Sequence, residues 1–269
     1  MTATSGNTRT KVAVLYICTG RYSRFFADFY ESAKKHFLKQ EAEVKYFVFT
    51  DDEALNHEDD VELIHRTCKG FPADTLQRFE MFMGIKERLQ TFDYICFMNS
   101  NAVLRADVGR EILPEYEGLK AVRWIGQKPC NWALFYPYER NKKSKAYVKP
   151  FDGPYAYYMG GFYCGKAETF LSMTEELDKA IREDALQGIT ARHNDESHLN
   201  QYLHTHPHEE LLRGYCCAEE RLSQKFETRI VFRNKVTIDE YFDKGRSHSA
   251  TRRFMHGAKT LWTALKWFI

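Results

Sequence analysis

Two carboxylates stand side by side in Asn194-Asp195-Glu196-Ser197-His198, at the start of a segment whose spacing predicts a helix over 195–204, with Asn194 or Asp195 as N-cap. Acidic groups in a first helical turn complement the helix dipole, which is a purely structural use. Held near the C1 of a sugar, the same groups can attack that carbon or stabilise an oxocarbenium-like centre on it. Asn99-Ser100-Asn101 follows an apolar run at 93–98. Its polar side chains read as a turn, and the carboxyl end of a buried strand is also where open α/β sheets bind ligands. Thr19-Gly20-Arg21-Tyr22 carries one glycine, far short of a dinucleotide fingerprint. A tyrosine at such a helix mouth can still stack on a base, while helix N–H groups meet phosphate. His204, His206 and His208 alternate around Pro207 with no paired Cys or Asp, and read as a solvated helix end rather than a metal site.

These residues need a frame. Residues 11–17 (KVAVLYI) and 44–50 (VKYFVFT) are apolar runs of strand length. Between them Phe25, Phe26, Phe29, Tyr30, Ala33 and Phe37 recur at helical spacing over 22–38. Strand, helix, strand predicts a parallel sheet with a right-handed crossover. The spacing predicts further helices over 73–90 and 166–187, and strands over 93–98 and 158–165, the last with a Gly-Gly step suited to close backbone approach. The stretch 121–158 is crowded with Trp, Tyr and Pro and reads as loops and short strands on a binding face. The last residues differ again. Phe254, Ala258, Leu261, Trp262, Leu265, Phe268 and Ile269 share one side of a helix, with Arg252, Arg253, Lys259 and Lys266 off it. Such a basic amphipathic tail, 251–269, suits an anionic lipid interface or packs on its own domain.

Composition narrows the field. The 269 residues carry 39 Lys+Arg against 37 Asp+Glu, so no basic field argues for nucleic acid. Hydrophobic residues at 43% exclude a disordered chain. No run of about 18 apolar residues predicts a membrane span, and the polar start lacks the apolar stretch of a signal peptide. Phe 20, Tyr 16 and Trp 4 suit either a ring-rich core or the faces of sugars and bases. The seven cysteines show no CxxC spacing and are expected to be reduced, mostly buried thiols of a cytoplasmic protein, vicinal Cys216-Cys217 included. A nicotinamide-dependent oxidoreductase has only the βαβ opening in its favour.

Taken in order, several stretches resemble the family 6 retaining glycosyltransferases, relatives of the histo-blood-group A and B enzymes and of α1,3-galactosyltransferase. They are YICTGRY at 16–22, FVFTD at 47–51, RFEM at 78–81, YICFMNSN at 94–101, Tyr138-Glu139-Arg140, SKAYV at 144–148, YYMGGFYCG at 157–165 and DESHLN at 195–200. The resemblance spans 11–246, and the last two stretches together are its most specific part. It implies an α/β, GT-A-type Rossmann-like nucleotide-sugar fold with a mixed central sheet flanked by helices. It implies one catalytic domain over 1–250, with 11–101 mainly binding UDP and 102–250 mainly acceptor-binding and catalytic.

The activity so implied is retaining α1,3 transfer of GalNAc, or else Gal, from a UDP-sugar to O3 of a galactoside, fucosylated or not, in bacterial surface-glycan synthesis. Position by position, Tyr22 would pack on uracil beside Ile17 and Cys18, and Arg78 would reach the donor phosphates or sugar. Met159, Gly160 and Gly161 would line the sugar pocket, with Gly161 leaving room for an N-acetyl group. Glu196 would be the catalytic carboxylate and Asp195 its neighbour on the donor hydroxyls. Arg233, Lys235 and Arg246 would face the diphosphate. Asn99 and Asn101 replace the family's two metal-binding aspartates. That change predicts catalysis without a divalent metal or other cofactor, and keeps open a degenerate nucleotide-sugar or carbohydrate-binding module. The protein is then expected to be cytoplasmic, with its tail peripheral on the inner face of the membrane.

Overall fold

The computed structural model describes residues 9–124, 136–222 and 227–243, together with Trp262, Leu265 and Trp267. β1 (Lys11–Ile17) is buried along almost its whole length, as a near-continuous apolar run requires in the middle of a covered sheet. It pairs in parallel with β2 (Glu43–Thr50) on one side and β4 (Tyr94–Met98) on the other. β3 (Val61–His65) extends this parallel half at the edge. β7 (Tyr158–Lys166) runs antiparallel to both β4 and β6 (Leu119–Arg123), and β8 (Glu209–Leu211) closes the far edge. The seven strands lie in the order β3-β2-β1-β4-β7-β6-β8. β5 (Ala102–Leu104), β10 (Ile230–Phe232) and β9 (Cys217–Ala218) form a second, three-stranded sheet. The mixed α/β architecture implied by the resemblance is the one observed.

Side-chain alternation along β1 divides the core. Val12, Val14, Tyr16 and Cys18 face α1 (Phe26–His36) and the small sheet. Ala13 and Leu15 face α3 (Arg78–Met83), α5 (Ala167–Leu186) and α6 (Asn194–Thr205). Phe79 and Phe82 of α3 are fully buried in that second core. Truncating either to Ala costs about 3–5 kcal/mol at such a site. A third cluster gathers Tyr136, Tyr138, Val148 and Tyr157, and Trp267 packs into it.

Several sequence expectations need correction. The helix over 73–90 is three short ones: α2 (Ala73–Leu76), α3 and α4 (Lys86–Leu89). The backbone leaves helical geometry at Gln77 (ψ 5°) and Ile85 (φ −123°), which turns Arg78 and Phe79 inward together. The helix over 22–38 begins as a tight turn at 20–25, made possible by Gly20 in the left-handed region (φ +56°). β3 and β6 had no separate expectation, because their short, half-polar stretches show no clear period. Cys96 and Cys164 are not free thiols. They lie directly opposite in the β4–β7 register, with Cα atoms 4.1 Å apart, and are joined as a disulfide. Cys68 is exposed rather than buried, whereas Cys216 and Cys217 are the buried small side chains expected. Most of the tail over 251–269 lies outside the described residues. Within it Trp267, which is off the apolar stripe, is buried and donates its indole N–H to the Val148 carbonyl at 2.7 Å. Trp262 and Leu265, which are on the stripe, are exposed. Among the described residues no helix is long and apolar enough to cross a membrane.

Candidate active site

The carboxyl ends of β1 and β4 lie side by side, with β2 and β7 leaving in opposite directions. Such a switch point leaves a crevice above the sheet. Here a cleft opens between Ile17, Tyr22, Arg78, Asn99 and Lys235. Five of the sequence-designated residues are thus brought together from distant parts of the chain. Tyr22 lies in the turn after β1, and α7 (Lys235–Ile238) holds Lys235 across from it. The ammonium of Lys235 is 4.7 Å from the Tyr22 ring centre and 3.3 Å from its hydroxyl. A flat ring and a cation therefore stand together at the cleft mouth.

The charged cluster adjoins this cleft through Arg78. Arg78, only 6% exposed, reaches Asp195 Oδ2 through Nη1 at 2.6 Å and donates to the Gly160 carbonyl at 3.1 Å. Its guanidinium stacks 4.1 Å from the Phe97 ring centre. Burial pushes the Asp195 pKa up, and the Arg78 charge works against that rise. Glu196, in the same first turn of α6, is held at both oxygens. The Tyr157 hydroxyl donates to Oε1 at 2.9 Å, and the Gly160 N–H donates to Oε2 at 2.8 Å. Burial raises its pKa as well, and these two donors, which favour the ionised form, limit the rise. The result is a half-buried carboxylate fixed in one orientation beside a neutralised Arg–Asp pair.

The Gly-Gly step of β7 makes this possible. A Cβ on Gly160 would lie 3.1 Å from Glu196 Oε2, so a side chain there would displace the carboxylate. Asn200 fastens the same helix to the same strand. Its amide accepts the Tyr158 N–H at 2.7 Å and donates to the Tyr158 and Glu196 carbonyls, both at 2.9 Å. Tyr157, Phe97 and Asn200 were not singled out from the sequence. Tyr157 and Asn200 lie inside the YYMGGFYCG and DESHLN stretches, and their roles depend on which neighbours the fold supplies.

Other designated residues are placed differently. Cys18 is fully buried in the α1-side core and does not line the cleft, which its neighbours Ile17 and Thr19 do. Met159 is partly buried against that same core. Gly161 does not face open space: a Cβ there would lie 2.9 Å from Phe232 Cζ and 3.4 Å from Cys216 Sγ. Arg233 pairs its guanidinium with Asp28 of α1. Arg246 lies outside the described residues. The three histidines each pack on a separate ring, His204 on Tyr155, His206 on Tyr202 and His208 edge-on to Tyr158, so they neither converge nor stand in solvent as a plain helix end.

At the strand end, Asn99 donates from its amide to Asn101 Oδ1 at 2.8 Å, and Asn101 donates to the Arg233 carbonyl at 2.7 Å. Both groups are neutral, and the Asn101 amide is used at both ends. A hard divalent cation favours anionic oxygen, and this pair supplies none and is bonded within itself, so it does not fit the metal that two aspartates would hold.

The family model for glycosyltransferase family 6 matches residues 4–240. The O-antigen biosynthesis glycosyltransferase WbnI of Escherichia coli is 30% identical over 226 residues, which is 83% of this chain and 94% of that one. A globoside α-1,3-N-acetylgalactosaminyltransferase 1 of Gallus gallus is 27% identical over 245 residues, 88% of this chain and 69% of the relative. The histo-blood group ABO system transferase 2 of Rattus norvegicus is 29% identical over 206 residues, 73% of this chain and 60% of the relative. The matched region contains the cleft, the Arg78–Asp195 pair and Glu196, and the chain belongs to glycosyltransferase family 6, as an enzyme that transfers a sugar from a nucleotide-sugar donor to a glycan.

Proposed function

We propose that this glycosyltransferase moves N-acetylgalactosamine from UDP-GalNAc to O3 of a galactoside with retention of the α configuration, in the synthesis of a bacterial surface glycan. The observation that carries the reading is Glu196, gripped by Tyr157 and Gly160 next to the Arg78–Asp195 pair. Positive charge develops at C1 as the diphosphate leaves, and a fixed carboxylate stabilises it, or bonds to it, from the opposite face. Asp195, oriented by Arg78, meets the donor hydroxyls. Uracil stacks at Tyr22, and Lys235 faces the departing diphosphate. The surface-glycan setting is supported by the O-antigen name of the Escherichia coli relative, and the transferred sugar by the name of the Gallus gallus one.

In this reading catalysis needs no divalent metal, because the Asn99–Asn101 pair offers a cation no charge. The exposed Trp262 and Leu265 on the apolar stripe of the tail support peripheral contact with an anionic membrane. The test is an array of UDP-sugars against lactose and fucosylated lactose. UDP-GalNAc with a galactoside is expected to give the highest turnover and an α1,3 product. A wild-type preference for UDP-Gal overturns the donor assignment, and donor binding without transfer to any acceptor favours a degenerate binding module. Gly161→Ala is expected to shift preference towards Gal. Its new methyl would lie 2.9 Å from Phe232 Cζ, so the ring must shift, at a cost of about 1–3 kcal/mol typical of overpacking.

A further inference from the structure

Tyr138-Glu139-Arg140 and Ser144–Val148 lie far from the sugar-transfer chemistry in sequence, and the active-site reading assigns them nothing. Their loop carries a carboxylate that is 8% exposed. Glu139 Oε1 accepts the N–H groups of Arg140 and Asn141, both at 2.7 Å, which folds the loop on itself. Its other oxygen leaves the loop altogether and accepts the Arg192 N–H at 2.6 Å, across 53 residues of sequence. Arg192 stands three residues before Asp195 and four before Glu196.

The mouth of α6 needs such an anchor. The residue before the helix, His193, makes no side-chain cap, and Asn194 is held in the left-handed region at φ +49°. Within the helix, the Ser197 hydroxyl accepts the His193 N–H at 2.9 Å, which closes the first turn but does not locate it in the domain. Asn200 ties down the second turn. The start of the helix is tied by Glu139, through a charge-assisted bond of the strong kind. The same loop is fastened to α5 separately: Asp184 accepts the Ser144 hydroxyl at 2.5 Å and the Lys145 N–H at 2.7 Å.

We propose that Glu139 is a positioning residue for sugar transfer, its buried carboxylate holding the Arg192 N–H and thereby setting where the first turn of α6 presents Asp195 and Glu196. The inference rests on the reading of Glu196 given above. Misplacing a reacting group by an ångström slows the chemical step while leaving remote binding contacts in place.

The test uses the full chain with UDP-GalNAc and a galactoside acceptor. Glu139→Gln keeps shape and turns one oxygen into an NH₂. With its oxygen kept on the two loop N–H groups, the NH₂ faces the Arg192 N–H, a donor against a donor. The expected result is a fall in kcat of about 10- to 100-fold, with donor KM and UDP affinity changed by less than about threefold. Ser144→Ala removes the hydroxyl bond to Asp184 and the acceptor of the Ala146 N–H while leaving the Glu139–Arg192 contact in place, and at a similar loss of Tm is expected to keep kcat within about threefold. Should the Gln variant fail to fold, Glu139→Asp keeps the charge but is about 1.5 Å too short to span both partners, and the same split is expected. Wild-type kcat in the Glu139 variant overturns the proposal, as does an equal kcat loss in Ser144→Ala at equal Tm. Wild-type turnover in Glu196→Gln instead overturns the reading of Glu196, and is measured first.

Discussion

Gly160 and Gly161 join two regions built on opposite principles. On one side Gly160 gives its N–H to ionisable Glu196 and its carbonyl to Arg78. On the other, the Gly161 carbonyl accepts the Asn99 N–H at 2.9 Å, at the head of a chain of neutral amides that ends on the Arg233 backbone. The α6 side keeps two buried charges and one half-buried one and pairs or hydrogen-bonds each of them. The strand-end side holds no charge and satisfies itself with amide-to-amide bonds. Buried charge is retained where a reaction needs it and is costly elsewhere. In the proposed reading the chemistry lies on the α6 side, and the strand end serves as scaffold and cleft wall.

The largest effect is expected on the charged side. Glu196→Gln keeps shape and removes charge, and kcat is expected to fall by at least about 10²-fold, the scale of losing a central electrostatic group. Calorimetric UDP affinity should hardly move, and near-wild-type turnover would break the contrast. Next comes Lys235→Met, which removes a cation from the cleft mouth while keeping much of its length. About a tenfold loss of turnover is expected for a partly solvated charge facing the diphosphate. An unchanged rate would leave the leaving group to other residues.

A smaller effect sharpens the account of Glu196. Tyr157→Phe deletes a donor that favours the ionised carboxylate, and a loss of about threefold to tenfold in kcat is expected at neutral pH. The sign of the pH dependence follows. Burial already raises the Glu196 pKa, and losing the hydroxyl raises it further. The acid limb of the kcat profile should therefore move to higher pH in the variant. A limb that stays or moves down excludes an ionised, Tyr157-supported Glu196.

The smallest effect belongs to the neutral side. Exhaustive EDTA treatment, followed by Mn²⁺ addition, is expected to change turnover by no more than about twofold, since two amides hold a hard cation poorly. Activity abolished by EDTA and restored by Mn²⁺ would reverse the contrast and make the strand end part of the chemistry.

What was legible in the amino-acid order is what short-range physics writes there. The buried run of β1 and the amphipathic spacing of α1 and α5 are local patterns, because one face or both must be apolar, and they held to within a few residues at their ends. The adjacency of Asp195 and Glu196, and the loss of acidic groups at 99 and 101, are also local facts. Resemblance extended them to a fold and a site. The breaks at Gln77 and Ile85 were not legible, since the apolar spacing of 73–90 fits one helix as well as three.

Pairings across the sheet and between its faces were decided by the tertiary structure alone. Arg78 meets Asp195 across 117 positions of sequence because α3 and α6 share one face of the sheet. Cys96 meets Cys164 because of a register that neither strand encodes by itself. Gly161 turned out to border Phe232 rather than open space, and Arg233 to pair with Asp28, because β10 belongs to a second sheet packed against α1. Tyr157 and Glu139 gained their roles the same way. Each is one polar side chain in a tyrosine-rich or charged stretch, and only the packing of β7 and of the 139–148 loop against α6 shows what each hydroxyl or carboxylate can reach. Periodicity records which way a side chain faces; the partner it finds there depends on the three-dimensional placement of every other element.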